Sequence, residues 1–187
     1  MTLSASGGQG TMPRAFDTSN PVEGECGDAD LGSPNMRCDN QGPGIGEDGE
    51  PDGNGPNCVP LGNVLIVQEP GADCPDDNVD GGMIIFDFEP KAEYVKDIGL
   101  LDVDYGTTIT VAFMNENGDM DTKSIEVPEL GDNSFQLLSI DTSHVKQLKI
   151  SMERSVGVSS LTYCYPPGSP PTTLPPEICT DVNIDFS

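Results

Sequence analysis

No window of this chain sustains apolar residues at positions i, i+3, i+4 and i+7, the pattern a helix needs to bury one face. Short runs of β-branched and aromatic residues recur instead, separated by clusters of Gly, Pro, Asn and Asp. The runs fall at 2–6, 14–18, 63–68, 83–89, 95–103, 107–114, 123–127, 134–141, 145–152, 158–165 and 181–186. Ile109, Val111 and Phe113 alternate with Thr108 and Thr110, and Leu148, Ile150 and Met152 alternate with Lys149 and Ser151. Such alternation places apolar side chains on one face of a strand and polar ones on the other. Val64-Leu65-Ile66-Val67 is apolar throughout, as a strand covered on both faces would be. The chain therefore reads as all-β, an antiparallel β-sandwich, and 187 residues suit one such domain.

A sandwich built from these residues has a modest core. There is no Trp, with only four Tyr and six Phe, so the interior must be aliphatic. The 22 glycines and 17 prolines imply long loops, and small cores bearing heavy loops usually need covalent staples. Cys26, Cys38, Cys58, Cys74, Cys164 and Cys179 form an even set without a C-x-x-C pair, and the single histidine, His144, has no partner ligand. Disulfides therefore suit them better than zinc, which points to an oxidising, extracellular compartment. Six cysteines allow about 15 connectivities. The pairing expected is sequential, Cys26–Cys38, Cys58–Cys74 and Cys164–Cys179, because each pair brackets one Gly- or Pro-rich loop.

Three textures divide the chain. Residues 1–165 make the sandwich body, within which 19–61 are an acidic, disulfide-stapled loop region and Asn117-Gly118 reads as a hairpin turn. Residues 166–177 are a proline-rich, stiff linker, in which Ser169, Thr172 and Thr173 have the surroundings of O-glycosylated stalks. Residues 178–187 carry a last alternating strand, with Val182, Ile184 and Phe186 on one face. That strand either folds back onto its own sheet or is donated to a neighbouring module, and the second arrangement is the one expected. Met1 is followed by neither a basic start nor an apolar stretch, so the chain is expected to be a mature fragment or one period of a longer array.

The formal charge is −24, with 32 Asp and Glu against eight Lys and Arg. Repulsion of this size excludes nucleic acid and anionic membrane surfaces as partners. It also opposes compaction unless cations neutralise part of it. The carboxylates are concentrated in Asp17-Thr18-Ser19-Asn20, Asp28-Ala29-Asp30 and Pro75-Asp76-Asp77-Asn78-Val79-Asp80. Calcium takes six to eight oxygens from carboxylates, Asn side chains and carbonyls, and Gly-rich loops of this kind can supply them. The same residues also suit Asx-turns that bind no ion. Two further acidic loops, 48–59 and 115–126, begin or end like EF-hand loops. The first lacks the final Glu and the second the central Gly, so both read as turns.

Taken together, F-D-T-S-N-P at 16–21, D-A-D-L-G at 28–32, G-N-V-L-I at 62–66, P-D-D-N at 75–78 with F-D-F at 86–88, and I-G-L-L-D-V-D at 98–104 resemble a module of secreted surface proteins. Bacterial and algal multi-module proteins carry this calcium-associated β-sandwich, whose fold is similar to carbohydrate-binding jelly rolls. The resemblance covers roughly residues 12–165 and implies a jelly-roll-like topology. It implies Asp28, Asp30, Asp77 and Asn78 as the first metal ligands and Asp17 and Asn20 as the second. It also implies that a strand like 182–186 precedes one like 2–6. The cysteines depart from the pattern and suggest a version built for durability.

Catalytic constellations are missing from the sequence. There is no nucleophile elbow, no Cys/His arrangement and no phosphate loop. The expected function is a structural module of an extracellular filament, sheath or surface appendage. It would be stiffened by disulfides and Ca2+ and would join copies of itself or neighbouring modules through the linker and terminal strand. The alternative is a calcium-dependent glycan-binding module. A third reading, an ion-buffering acidic protein, follows from the charge alone.

Overall fold

A computed structural model describes residues 1–21, 27–164 and the backbone of 180–183. Among the described residues nine strands are joined in one antiparallel network, and the only helical element is a single 3-10 turn, η1 (Ala29–Leu31). The strands are β1 (Thr2–Ser6), β2 (Arg14–Asp17), β3 (Asn63–Ile66), β4 (Gly82–Leu101), β5 (Thr107–Met114), β6 (Met120–Glu126), β7 (Phe135–Met152), β8 (Gly157–Cys164) and β9 (Thr180–Asn183). The all-β antiparallel reading of the sequence is the observed architecture.

Two long strands organise it. Residues 82–87 of β4 lie between β1 and the second half of β7, whose other edge carries β5 and then β6. Residues 94–101 of β4 lie between β8 and the first half of β7, and β3 and β2 extend the sheet beyond β8. Each of these strands reads as two in the sequence. Pro90 interrupts the first and Asp141–His144 the second. The chain instead passes through both positions with register shifts between Asp87 and Ala92 and between Val95 and Asp97. Pro90 lacks an N–H and so is tolerated where the ladder is broken. Asp141 and His144 take positive φ, of 41° and 58°, at the same level of β7. A bulge of this kind bends a strand without ending it.

Both halves of the β4–β7 pair line one core, as a sandwich requires. Ile84 and Phe86 from the first half of β4, Ile98 and Leu100 from the second, Val111 of β5 and Leu161 of β8 are buried in one cluster. Phe88 meets Tyr163 edge to face, with ring centroids 5.2 Å apart. The aromatic complement is small and the packing is aliphatic, as composition requires.

Residues 27–61 hold no strand and are built on buried Asn and close backbone contact. Asn133, fully buried, donates from Nδ2 to the carbonyls of Asp30 (2.6 Å) and Gly32 (2.7 Å), and its Oδ1 accepts from Asn35 Nδ2 (2.8 Å). Asn35 also donates to the Gly46 carbonyl, and Asn57 Nδ2 donates to that of Gly32. Gly46 and Gly49 pack so tightly here that a Cβ would lie 2.4 Å from the carbonyl oxygens of Asp132 and Asn133 respectively. Gly46 and Gly49 are thus required by contact with the 131–134 loop. Buried polar groups satisfied in this way fix one arrangement of a loop that has few apolar residues.

One disulfide is seen directly: Cys38 and Cys58 are bonded, with Cα atoms 5.4 Å apart. The sequential pairing is therefore wrong for Cys26–Cys38 and Cys58–Cys74. Each of those pairs brackets one loop of the sequence, whereas the segment that starts just before Cys38 folds back through the Asn35–Gly44 bridge, and the Cys38–Cys58 bond closes a loop of 20 residues. Closing such a loop restricts the unfolded chain by about 3 kcal/mol on the chain-entropy model. Cys74 and Cys164 are also disulfide-bonded. Cys26 and Cys179 lie outside the described residues, as do the linker 166–177 with Ser169, Thr172 and Thr173, and Ile184 and Phe186 of the terminal segment.

The backbone of β9 pairs antiparallel with β8 of the same chain, Leu161 opposite Val182 and Tyr163 opposite Thr180. Within the chain the described backbone of this strand thus takes the fold-back position. No helix among the described residues is long and apolar enough to cross a membrane.

Candidate metal centre

The loops at one end of the sheet bring together acidic residues that lie far apart in the sequence. Asp28 and Asp30 flank the start of η1, which is held down by Leu31. That side chain is fully buried with Phe16, Val64, Ile66 and Leu101 in a second apolar cluster. Burying a leucine this completely contributes about 2 kcal/mol, enough to seat the turn that carries the two carboxyls. Asp76 and Asp77 come from the β3–β4 connection. Asn78 anchors that segment: its N–H donates to Val67 O (2.8 Å) and its Nδ2 to Gly81 O (2.6 Å) and Gly7 O (3.2 Å). Asp102 and Asp104 follow the end of β4, with the core residue Val103 between them. Asp132 belongs to the loop before β7.

One carboxylate oxygen from each of Asp28, Asp76 and Asp77 lies within 4.8 Å of the other two. Two oxygens bound to one calcium at about 2.4 Å each can be no farther apart than about that span. Asp28 also shares hydrogen-bonding contacts with Asp77 and Asp30. Ser155 supplies a hydrogen bond to Asp77, yet Asp77 Oδ2 is enclosed with no donor, and the residue is only 6% exposed.

The electrostatics follow from burial without positive partners. Burial, then the contact with Asp77, pushes the Asp28 carboxyl up to about 7. Burial and neighbouring Asp28 push Asp30 up to about 8. Burial raises Asp77 to about 6, opposed in part by its hydrogen bonds. Burial and the charge of Asp30 raise Asp102 to about 8, and burial and Asp132 raise Asp104 to about 6. Asp76 is raised too, by burial and then by Glu69. The ion pairs seen among the described residues, Arg37–Glu50, Lys96–Asp97 and His144–Glu93, involve none of these groups. An assembly of buried carboxyls can be neutralised by protons or by a bound cation, and carboxylate oxygens are hard ligands suited to calcium.

The expected ligands separate in space and in what they do. Asp28, Asp30 and Asp77 belong to the acidic assembly. Asn78 lies beside it, but its amide is engaged with backbone carbonyls and its Oδ1 meets the Asp80 N–H at 3.4 Å. Asp17 is exposed, and its Oδ1 accepts from the N–H (2.9 Å) and hydroxyl (2.7 Å) of Ser19, an Asx-turn that closes β2. Asn20 is exposed in that turn and donates its N–H to Asp17 O. Of the two EF-like loops, Asp48 accepts from Asn54 within its own turn, and 115–119 close the β5–β6 hairpin through Asn115. Sequence reasoning does not reach Asp76, Asp102, Asp104 or Asp132 as site residues. The available signal for Asp102 and Asp104 is the Asp-Val-Asp alternation at the end of an apolar strand, with Val103 facing the core.

No family model matches the chain, and no curated protein matches it. Among solved structures it is similar to the enzymatically active domain of tailspike protein 4 of bacteriophage CBA120, at 14% identity and a TM-score of 0.32. The likeness covers 55% of this chain and 15% of that one, and is too loose to support an argument about function.

Proposed function

We propose that this protein is a non-enzymatic structural module of an extracellular surface, whose loop layer is locked to its sheet by calcium and disulfides. The observation that carries this reading is the meeting of Asp28, Asp76 and Asp77 within 4.8 Å, with an enclosed, donorless oxygen on Asp77. A cation there ties the η1 segment to the β3–β4 connection. The other supports are the Cys38–Cys58 disulfide, which suits an oxidising compartment, and the charge of −24, which divalent cations reduce. The partners are copies of the chain or neighbouring modules. The outer edge of β8, covered by β9 within the chain, is where a neighbour's equivalent strand would pair by exchange.

Calorimetric titration of CaCl2 into chelator-stripped protein at pH 8 tests the cation reading. Binding is expected, with Asp77→Asn weakening it on the order of tenfold, a loss of about 1.4 kcal/mol. Asp17→Asn should leave it unchanged, because Asp17 serves its own turn. No heat of binding in the wild type, or equal affinity in Asp77→Asn, contradicts the reading.

A further inference from the structure

We propose that the outer face of the sheet formed by β1, β4, β7, β5 and β6 carries a binding groove for a neutral oligosaccharide, independent of the acidic loops and of calcium. The groove has a volume of about 500 Å³, within the range of small-ligand sites. Its lining includes Thr2 of β1, Asp87 and Glu89 of β4, Lys146 and Gln147 of β7, and Met120 of β6.

The groove lies where the strand ladder breaks. Ala112 pairs with Gln147 and Phe113 with Val145, so Lys146 has no partner on β5. Asp87 pairs with Gln147 and Ala92 with Val145, so Lys146 has none on β4 either. Val145 and Leu148 are both buried in the core, and the two residues between them, Lys146 and Gln147, both line the groove. An unbroken strand would alternate and send one of those two inward; the bulge re-aims it. On β4 the core takes Phe86 and Phe88, which leaves Asp87 and Glu89 on the groove side.

These polar groups are held in place with capacity to spare. Gln147 Nε2 donates to Asp87 Oδ1 at 2.7 Å, which orients both side chains. Asp87 Oδ2 and Gln147 Oε1 accept no hydrogen bond from the described residues, and Lys146 and Glu89 make no ion pair with them. Oriented acceptors beside an ammonium and an amide match sugar hydroxyls, each of which donates and accepts. The exposed Met120 adds a polarizable apolar contact for the C–H face of a ring. Charge narrows the class. Asp87 and Glu89, on a chain of −24, repel an anionic glycan, and Lys146 repels a cationic one. Asp87 stands five residues along β4 from Gly82, where the 72–81 loop enters the strand, or about 17 Å at 3.4 Å per residue. A cation among the acidic loops therefore takes no part in the groove.

A printed array of neutral, anionic and cationic oligosaccharides, probed with the full chain in calcium and in chelator, tests this. Retention on neutral glycans, equal in the two buffers, is expected. In calorimetry with the best-retained neutral glycan, Lys146→Ala and Gln147→Ala should each weaken binding by about tenfold, the loss of one well-placed hydrogen bond. Lys149→Ala, on the same strand outside the groove, should leave affinity unchanged, and unaltered melting temperatures would show that the variants fold. Met120→Ala, at an exposed position, should also weaken binding and replaces any variant that does not fold. No neutral glycan retained, retention that chelator abolishes, or full affinity in the folded groove variants overturns the proposal. Each of those results leaves the cation reading of the Asp28–Asp77 centre standing, because that reading is decided by calcium titration alone.

Discussion

In 10 mM calcium at pH 8 the protein is expected to melt about 5–10 °C higher than in chelator. Extracellular calcium modules bind with Kd of about 10⁻⁴ M, so 10 mM is about 100 Kd and stabilises by about 2.7 kcal/mol for each ion bound. For a chain of this size 1 kcal/mol moves the melting temperature by roughly 2–4 °C, so one ion gives the stated range. The effect also has a sign in pH. Asp28, Asp30 and Asp102 titrate near 7–8 in the folded chain against a normal value of 3.8, so the folded state holds protons that the unfolded chain releases. In chelator that contribution is fully present below pH 4 and is lost progressively as pH rises from there through the folded values near 7–8. Calcium competes with those protons, so its stabilisation grows over the same window. Scanning calorimetry from pH 5 to pH 8 should therefore show the chelated protein weakening and the calcium gain widening. A gain that is absent at pH 8, or larger at pH 5, contradicts this.

The largest effect expected of a single substitution is at Asn133. Asn133→Ala removes two hydrogen bonds donated to the carbonyls of Asp30 and Gly32 and one accepted from Asn35, all in a fully buried place. The Gly32 carbonyl keeps its bond from Asn57, but the Asp30 carbonyl and one Asn35 N–H lose this partner; at about 1–3 kcal/mol for each such group, the change should destabilise by about 4 kcal/mol in urea unfolding. Part of that cost is backbone: Asn133 has φ +60°, where alanine is disfavoured by about 1 kcal/mol. Asn133→Gly relieves that part and should recover about 1 kcal/mol. The amide thus joins the η1 segment to the loop before β7, and its own N–H positions Asp102. A loss of less than about 1 kcal/mol in Asn133→Ala would show that the loop layer is held by other contacts.

What could be read from the sequence was local. The alternation in 107–113 and 145–152 marks strands because each residue's side is set by its neighbours, and those strands pair with Ile109 opposite Ile150. The continuity of β4 and β7 could not be read. Pro90 and Asp141–His144 are turn signals in isolation, and only cross-strand pairing carries the chain through them. The Cys38–Cys58 bond escaped for a related reason: it depends on where the 27–61 segment is folded, which is decided by buried Asn and Gly contacts. At the site, Asp28, Asp30 and Asp77 were legible because carboxylates crowd Gly-rich loops. Asp102, Asp104 and Asp132 were not, since their convergence belongs to sheet topology. Asp17 looks no different from Asp28 in sequence, but its hydrogen bonds to Ser19 keep it in a turn.

The account holds that divalent cations, bound among carboxyls buried at one end of the sheet, clamp the surrounding loops to it. Amide hydrogen exchange followed by mass spectrometry, with calcium and with chelator, measures that clamping segment by segment. Exchange in 27–32 and 72–81 is predicted to slow by at least about tenfold in calcium, while residues 113–121 at the tip of the β5–β6 hairpin, remote from these carboxyls in sequence and pairing, are unchanged. Identical exchange of those loops in calcium and in chelator would contradict it.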